Sequence, residues 1–109
     1  MQINITGHHV EVTTALRAYV TEKMQRIARH FDQVSSINVI LNVEKLRQQA
    51  EATVIANGRT IFATESAMDM YASIDKLVDK LDKQVRRYKD RITHHHHEKH
   101  APVETEGGL

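Results

Sequence analysis

The dipeptide Asn57-Gly58 is the feature that most constrains the fold of this 109-residue chain. It separates residues 50–56 from 59–65, two runs typical of β-strands, and asparagine followed by glycine tolerates the positive φ angles of a tight hairpin turn. Upstream, the run SSINVILNVE (35–44) alternates apolar and polar side chains, as in a strand buried on one face. The sequence therefore predicts three consecutive strands joined as antiparallel hairpins.

Two amphipathic helices and a short first strand complete the pattern. Residues 2–6 alternate in the same way and predict the first strand. Between 13 and 31, apolar residues recur at helical spacing, and Thr13 is expected to cap the start of this helix. A second, longer periodic segment begins around Ser66 and Asp69. Its apolar stripe comprises Met70, Ile74, Leu77, Val78, Leu81, Val85, Tyr88 and Ile92.

The element order β-α-β-β-β-α predicts an α+β fold with a four-stranded mixed sheet. The first crossover makes strands one and two parallel, and the two hairpins make the remaining pairs antiparallel. Each helix has one apolar stripe and each strand one apolar face, so both helices should cover the same side of the sheet. The other side should be polar and open to water. A ferredoxin-like fold would require a further strand after the last helix, which the tail cannot supply.

Composition predicts one small soluble domain in a reducing compartment. A chain of this length forms a single two-layer core, and no apolar run approaches the roughly 20 residues of a membrane span. The N-terminus lacks a charged-then-apolar signal. Cysteine is absent, which excludes disulfides and a thiolate nucleophile. We therefore expect a cytoplasmic protein without membrane contact.

The net charge of +1 conceals a strongly basic segment. Residues 76–92 contain seven basic and three acidic side chains. On a helix, one arc of roughly 80° collects a set of basic residues at spacings of 4, 3, 4 and 4. This basic stripe consists of Lys76, Lys80, Lys83, Arg87 and Arg91. Asp75, Asp79, Asp82 and Asp90 fall on the other flank. Cations at this spacing can reach successive phosphates of a nucleic acid.

A solvated helix face is the simpler interpretation of such a charge pattern. It would be stabilised by i,i+4 ion pairs such as Asp79–Lys83 and Asp82–Arg86. The first helix favours binding instead, because its basic residues share one flank and the two helices could present a joint basic surface. These residues are Lys23, Arg26, Arg29 and His30. Phosphate binding is the favoured use of such a surface.

Other functional classes find little support in the residues. The aromatic side chains mostly fall on core stripes, so no row of rings for base stacking is predicted on the sheet. The sequence contains no P-loop, no G-x-x-G loop and no spacing that suggests a Ser/His/Asp set. We therefore expect neither an enzyme nor a bound cofactor.

Four segments give the chain a family resemblance over residues 1 to about 93. They are MQINITGHHVEVTTALRAYV at the start, VEK after strand two, ANG at the hairpin and DMYASIDKLVDKLDKQ in the last helix. With them the chain resembles the sigma-54 modulation protein family, in particular its short ribosome hibernation promoting factors, which are close kin of ribosome-associated inhibitor A. The resemblance implies a fold similar to a double-stranded-RNA-binding domain.

The resemblance also implies a function and a partner. Such proteins bind the small ribosomal subunit in the channel for messenger and transfer RNA, inhibit translation and promote inactive ribosome dimers in stationary phase or stress. A short form would need help in pairing ribosomes, and ribosome modulation factor is the implied helper. The alternatives are a ribosome-associated inhibitor that silences single ribosomes and opposes dimerisation, or a non-ribosomal protein-interaction module. Away from the ribosome we expect a monomer.

The expected contacts to ribosomal RNA follow from the same resemblance. The main set lies on the last helix, with support from the first helix. It comprises Lys76, Lys80, Lys83, Arg86, Arg87, Lys89 and Arg91, supported by Lys23, Arg26 and Arg29. Lys45 and Arg47, in the loop between strands two and three, are placed elsewhere by chain order and are expected to contribute less.

The histidine-rich end, RITHHHHEKH (91–100), is interpreted as a native polar helix end followed by a tail. We predict a domain over 1–93 and a flexible, dispensable tail over 94–109, because the tail offers no apolar residue at helical spacing. If the helix continues, His96 and His100 lie at i,i+4 and could chelate a divalent metal. Two ligands make only an adventitious site, so no dedicated metal site is predicted.

Overall fold

The order of elements is the predicted β-α-β-β-β-α. The computed structural model describes residues 1–31 and 33–97, with side chains described as far as Arg87. The elements are β1 (Gln2–His8), α1 (Thr14–His30), β2 (Val34–Glu44), β3 (Arg47–Ala56), β4 (Arg59–Ala67) and α2 (Met70–His97). The fold class predicted from the sequence is therefore confirmed.

The four strands form one mixed sheet in the order β1-β2-β3-β4. β1 runs parallel to β2, whereas β2–β3 and β3–β4 are antiparallel. The register places Ile3 opposite Ile37, Ile37 opposite Val54, and Val54 opposite Ile61. Since side chains alternate between the faces of a strand, this alignment collects the apolar residues of all four strands on one side.

Both helices cover that apolar side, as predicted. The α1 residues Leu16, Val20, Met24 and Ile27 are buried in the same core as the strand residues and the apolar stripe of α2. α2 packs mainly on β4 and β3, and α1 lies beside α2 and also contacts β1. The opposite side of the sheet carries exposed polar contacts, such as the hydrogen bond from Asn4 Nδ2 to Asn38 Oδ1 at 3.0 Å.

The predicted turn and cap are both present. Asn57 and Gly58 adopt φ angles of 55° and 76°, so the hairpin turn requires the positive φ that its sequence tolerates. At the start of α1, the Thr13 hydroxyl accepts a hydrogen bond from the Leu16 main-chain N–H at 3.1 Å. In α2 the equivalent acceptor is the carboxylate of Asp69, which binds the N–H of Ala72 at 3.2 Å.

Several element boundaries differ from the sequence prediction because strand pairing outweighs local pattern. β1 continues to His8, since residues 6–8 pair with 40–42 of β2. β4 continues to Ala67, so Ser66 belongs to the strand rather than to the beginning of the last helix. Gly7 lies in the extended part of β1, where a Cβ atom would stand 2.4 Å from the Val10 carbonyl oxygen.

The last helix runs through the predicted domain end at 93 to His97. The remainder of the predicted tail, 98–109, lies outside the described residues. Neither α1 nor the described part of α2 contains an apolar stretch that could cross a lipid bilayer.

Candidate nucleic-acid interface

The basic stripe of α2 lies along the β4 edge of the sheet. Lys76, Lys80, Lys83 and Arg87 are all exposed. The ammonium group of Lys76 donates to the Ser66 carbonyl oxygen at 3.1 Å. This contact places the stripe on the flank of α2 that faces β4. Since β4 is an edge strand, the stripe lies at the edge of the sheet.

The next residue of the stripe, Lys80, makes two contacts with the same strand. Its ammonium group donates to the Thr64 carbonyl oxygen at 3.2 Å and lies 3.5 Å from the carboxylate of Glu65. Lys76 and Lys80 thus occupy carbonyl groups of an edge strand that would otherwise be open to another chain. Their charges are held in place at the border between helix and sheet.

Further along the stripe, Lys83 and Arg87 are exposed. Among the residues with described side chains, neither Lys83 nor Arg87 has an ion-pair partner. Lys89 and Arg91 lie on the same helix, but their side chains are outside the described part of the chain. Among the described stripe residues, Lys83 and Arg87 are therefore the cations whose charge is not paired with a carboxylate or held by a β4 carbonyl oxygen.

The acidic flank of α2 faces α1 and forms what we call the interhelical seam, made of Tyr19 and His30 from α1 and Asp75, Asp82 and Arg86 from α2. Tyr19 Oη donates to Asp75 Oδ1 at 2.5 Å. At the other end, Asp82 lies 3.6 Å from His30 Nδ1 and 2.7 Å from the Arg86 guanidinium. Because both cross-helix contacts advance along the two helices together, α1 and α2 run in the same direction.

The described side chains form one of the two ion pairs that were predicted within α2. Asp82–Arg86 is formed, whereas Asp79–Lys83 is not among the ion pairs of the described side chains. An exposed i,i+4 pair contributes only about 0.3–0.5 kcal/mol. The main effect of this ion pair is to position Arg86 rather than to stabilise the helix. It holds the Arg86 charge on the α1 side of α2, away from the stripe.

The hydrogen bond to the Asp75 carboxylate raises the pKa of Tyr19 above its ordinary value of 10.0, and partial burial adds to the increase. The phenol therefore remains protonated and can donate to Asp75 throughout the physiological range. This contact ties the first half of α1 to the beginning of α2.

The basic residues of α1 lie at different places along the helix. Lys23 lies with its ammonium group 5.1 Å from the centre of the Tyr19 ring, at the seam. Arg29 instead lines a shallow depression with Met1 and Gln25 at the far end of α1. The seam carboxylates Asp75 and Asp82 contact Tyr19 and His30 of α1, on the flank that also carries Lys23. Helical periodicity defines sectors but not which sector faces the neighbouring helix, so the joint basic surface of the two helices stays a prediction.

Arg47 lies closer to the stripe than its chain position indicated. Its guanidinium donates to the Ser66 hydroxyl at 3.1 Å, and Ser66 also accepts from Lys76. Arg47 is thus the first residue of β3 and contacts β4 rather than lying in a loop elsewhere, and its expected smaller contribution to RNA binding stays a prediction. The hairpin register could have revealed it: counting outward from Asn57-Gly58 places Gln48 opposite Ala67, as observed.

A buried hydroxyl on the apolar stripe of α2 was also missed by the sequence analysis. Ser73 is fully buried, and its hydroxyl donates to the Gln48 main-chain oxygen. A serine among apolar helix positions indicates a buried hydrogen bond to the main chain only once β3 is known to lie beneath the helix. The contact fixes the start of α2 on β3 and thereby positions Lys76 one turn later.

The described residues contain no group of candidate metal ligands. No three His, Asp or Glu side chains in that part of the chain are grouped as a metal ion would require. The predicted adventitious pair remains outside this description. His96 belongs to the backbone of α2 without a described side chain, and His100 lies beyond the described residues.

Comparison with known proteins gives the family. Residues 3–93 match the model of the "Sigma 54 modulation protein / S30EA ribosomal protein" family. The chain belongs to this family. It is 50% identical over 91 residues to the ribosome hibernation promoting factor of Azotobacter vinelandii, covering 84% of this chain and 85% of that protein. The Escherichia coli K12 factor of the same name is 44% identical over 95 residues, covering 87% of this chain and all of the relative.

Solved structures of family members have the same architecture. A ribosomal subunit interface protein from Coxiella burnetii superposes with a TM-score of 0.78 at 37% identity, covering 83% of this chain and 99% of that one. The N-terminal domain of Protein Y from Thermus thermophilus gives a TM-score of 0.74 at 34% identity, covering 81% and 99%. The family resemblance found in the sequence is thereby confirmed.

Proposed function

We propose that this chain is a ribosome hibernation factor that occupies the messenger and transfer RNA channel of the small ribosomal subunit. The observation that carries the proposal is the basic stripe of α2, whose described members are exposed and which Lys76 and Lys80 position along the β4 edge. Family membership and the names of relatives that are 44–50% identical support a role on the ribosome.

The mechanism is occupancy rather than catalysis. The stripe, together with Lys89, binds phosphates of ribosomal RNA, and releasing the counterions condensed on that RNA drives association. Lys23, Arg26 and Arg29 make a second set of contacts from α1. Arg47 joins the stripe at its N-terminal end through Ser66. A bound domain blocks messenger and transfer RNA sterically.

The physiological setting follows from this role. The protein acts in the cytoplasm, during stress or stationary phase, and reaches the ribosome as a monomer. Since the relatives are named hibernation promoting factors, we propose that it favours inactive ribosome dimers, with ribosome modulation factor acting on the same ribosome.

The test is sedimentation with purified components. The chain is mixed with isolated small subunits, large subunits and whole ribosomes, and translation of a reporter message is measured in parallel. We expect it to pellet with small subunits and whole ribosomes and to inhibit translation at matching concentrations. A chain that stays in the supernatant at low salt overturns the proposal and favours a protein-interaction module.

Sucrose gradients then distinguish the two possible outcomes for the ribosome. With ribosome modulation factor present, the proposal predicts more ribosome dimers when the chain is added. Unchanged or fewer dimers, together with inhibited translation, would assign the chain to the silencing of single ribosomes.

A further inference from the structure

Two tyrosines form a rigid aromatic pair at the mouth of the interhelical seam. The rings of Tyr19 and Tyr71 lie edge to face, with centroids 4.9 Å apart and an interplanar angle of 79°. Tyr19 is held by its hydrogen bond to Asp75, and the Lys23 ammonium lies 5.1 Å from its ring centre. These contacts restrict the Tyr19 ring, and the Tyr71 ring packs against it before any ligand arrives. A restricted ring lowers the entropy cost of binding.

Tyr71 is the exposed member of this pair. It is 38% exposed, whereas its neighbour Met70 and the following stripe residue Ile74 are buried at 4% and 0%. The core beneath α2 is therefore filled without the Tyr71 ring. Met68, three residues earlier in the chain, is 80% exposed, so the β4–α2 connection also carries exposed apolar surface. A large ring kept at the surface and supported from one side is a platform for a flat partner.

The surrounding charges favour a nucleotide as that partner. Lys23 can reach a phosphate adjoining a stacked base, and exposed Arg26 lies one turn further along α1. Asp75 beside the ring disfavours a bare anionic surface such as a lipid headgroup layer. Bases in a duplex are already stacked on their neighbours, so only an unpaired base can offer a face to the ring.

We propose that Tyr71, supported by Tyr19 and Lys23, is a stacking site for one unpaired nucleobase of RNA. This inference rests on the proposed function and adds to it a non-ionic contact on the α1 side of α2, on the other flank from the cationic stripe. Stacking accepts any base, because every base has a π-face, so the site contributes affinity without sequence preference.

Binding to small subunits over a range of salt concentrations separates stacking from charge contacts. Replacing a stacking residue typically costs about 1–3 kcal/mol, which corresponds to about 5- to 150-fold in affinity. We expect Tyr71→Leu to lose affinity in this range at every salt concentration, with the slope against salt unchanged. Tyr71→Phe keeps the ring and should bind as the unmodified chain does. The matched control is Phe62→Leu, which removes a 52% exposed ring from the open face of the sheet.

Three results would overturn the stacking site. The first is an unchanged affinity of Tyr71→Leu. The second is an equal loss in Tyr71→Phe or in the Phe62→Leu control. The third is a loss accompanied by a flatter salt slope, which would mean that Tyr71 acts by positioning cations. Far-UV circular dichroism of each variant verifies that it is folded.

A fluorescence experiment tests the site without requiring ribosomes. The chain contains no tryptophan, so Tyr71→Trp introduces a single indole reporter. We expect single-stranded oligoadenylate at low salt to quench its emission, and a duplex RNA of equal length to leave it unchanged. Equal quenching by both RNAs, or by neither, overturns the stacking site. Failure of the unmodified chain to sediment with ribosomes would instead overturn the proposed function, so the two failures are distinguishable.

Discussion

Replacing Lys83 and Arg87 by alanine tests the cationic stripe where the structure is most favourable for the experiment. Both side chains are exposed, and neither has an ion-pair partner among the described side chains. Lys76 and Lys80 are less suitable, because each also binds a carbonyl oxygen of β4. Their removal would change the contact between helix and sheet together with the charge. The Lys83/Arg87 double variant should fold with a stability change within about 0.5 kcal/mol per site.

The size of the effect follows from counterion release. Each phosphate contact contributes about 0.7–0.9 to the slope of log affinity against log salt concentration. Loss of two contacts should flatten the slope by about 1.4–1.8. Since the released-ion contribution vanishes near 1 M salt, the same loss corresponds to about 25- to 60-fold weaker binding at about 0.1 M salt. The curves of the variant and the unmodified chain should converge as salt rises.

The assay is equilibrium binding of fluorescently labelled protein to small ribosomal subunits at a series of salt concentrations. The matched control removes two positive charges from other exposed sites, Arg17 on α1 and Lys45 in the β2–β3 turn, both as glutamine. The control should retain the slope and nearly all the affinity. If it flattens the slope as much as the stripe variant does, binding depends on net charge and the placement of the interface on α2 is refuted.

Three further predictions concern the seam, the first strand and the tail. Asp75→Asn should lower the pKa of Tyr19 toward 10.0, as measured by NMR titration of its ring, and an unchanged pKa in the variant would contradict the hydrogen bond. In the unmodified chain, the hydrogen bond between Tyr19 and Asp75 stabilises the fold below about pH 10, and this stabilisation is lost as pH rises through the raised pKa of Tyr19. Gly7→Ala should lower the free energy of unfolding in urea by about 1–3 kcal/mol, because the added Cβ meets the Val10 carbonyl oxygen; a neutral effect would mean that this loop yields easily. Truncation after Thr93 should leave thermal unfolding and ribosome binding nearly unchanged, and a cooperative loss of folding would show that the tail is structural.

Much of the fold could be predicted because its determinants are local. The alternation in 35–44, the Asn57-Gly58 turn and the two apolar stripes each define an element, and the need to bury every apolar face then leaves one arrangement. The ends of β1 and β4 could not be predicted in this way. Residues 7–8 and Ser66 are strand residues because of their partners across the sheet, and their own sequence resembles a loop or a helix start.

The sequence predicted which basic residues share one side of α2, but not how α1 and α2 are placed relative to each other. Periodicity identified the basic stripe, since that depends on α2 alone. It could not determine that Asp75 and Asp82 face α1, because this requires the relative rotation of two packed helices. Arg47 shows the intermediate case: hairpin register alone would have brought it to the β4 edge, without knowledge of the tertiary packing.

Under the proposed function, the two flanks of α2 favour one orientation of a chain of net charge +1 on a polyanion. On the β4 side, carbonyl oxygens hold Lys76 and Lys80 in position and leave Lys83 and Arg87 facing solvent. On the α1 side, Asp75 accepts a hydrogen bond from Tyr19, and Asp82 lies beside Arg86 and His30. The Tyr19 hydroxyl is neutral, so this contact leaves the charge of Asp75 in place. A uniformly basic helix would attract phosphates from every direction around its exposed arc. With carboxylates on the α1 flank, we expect phosphates to approach the stripe more closely than the part of the seam that carries Asp75 and Asp82.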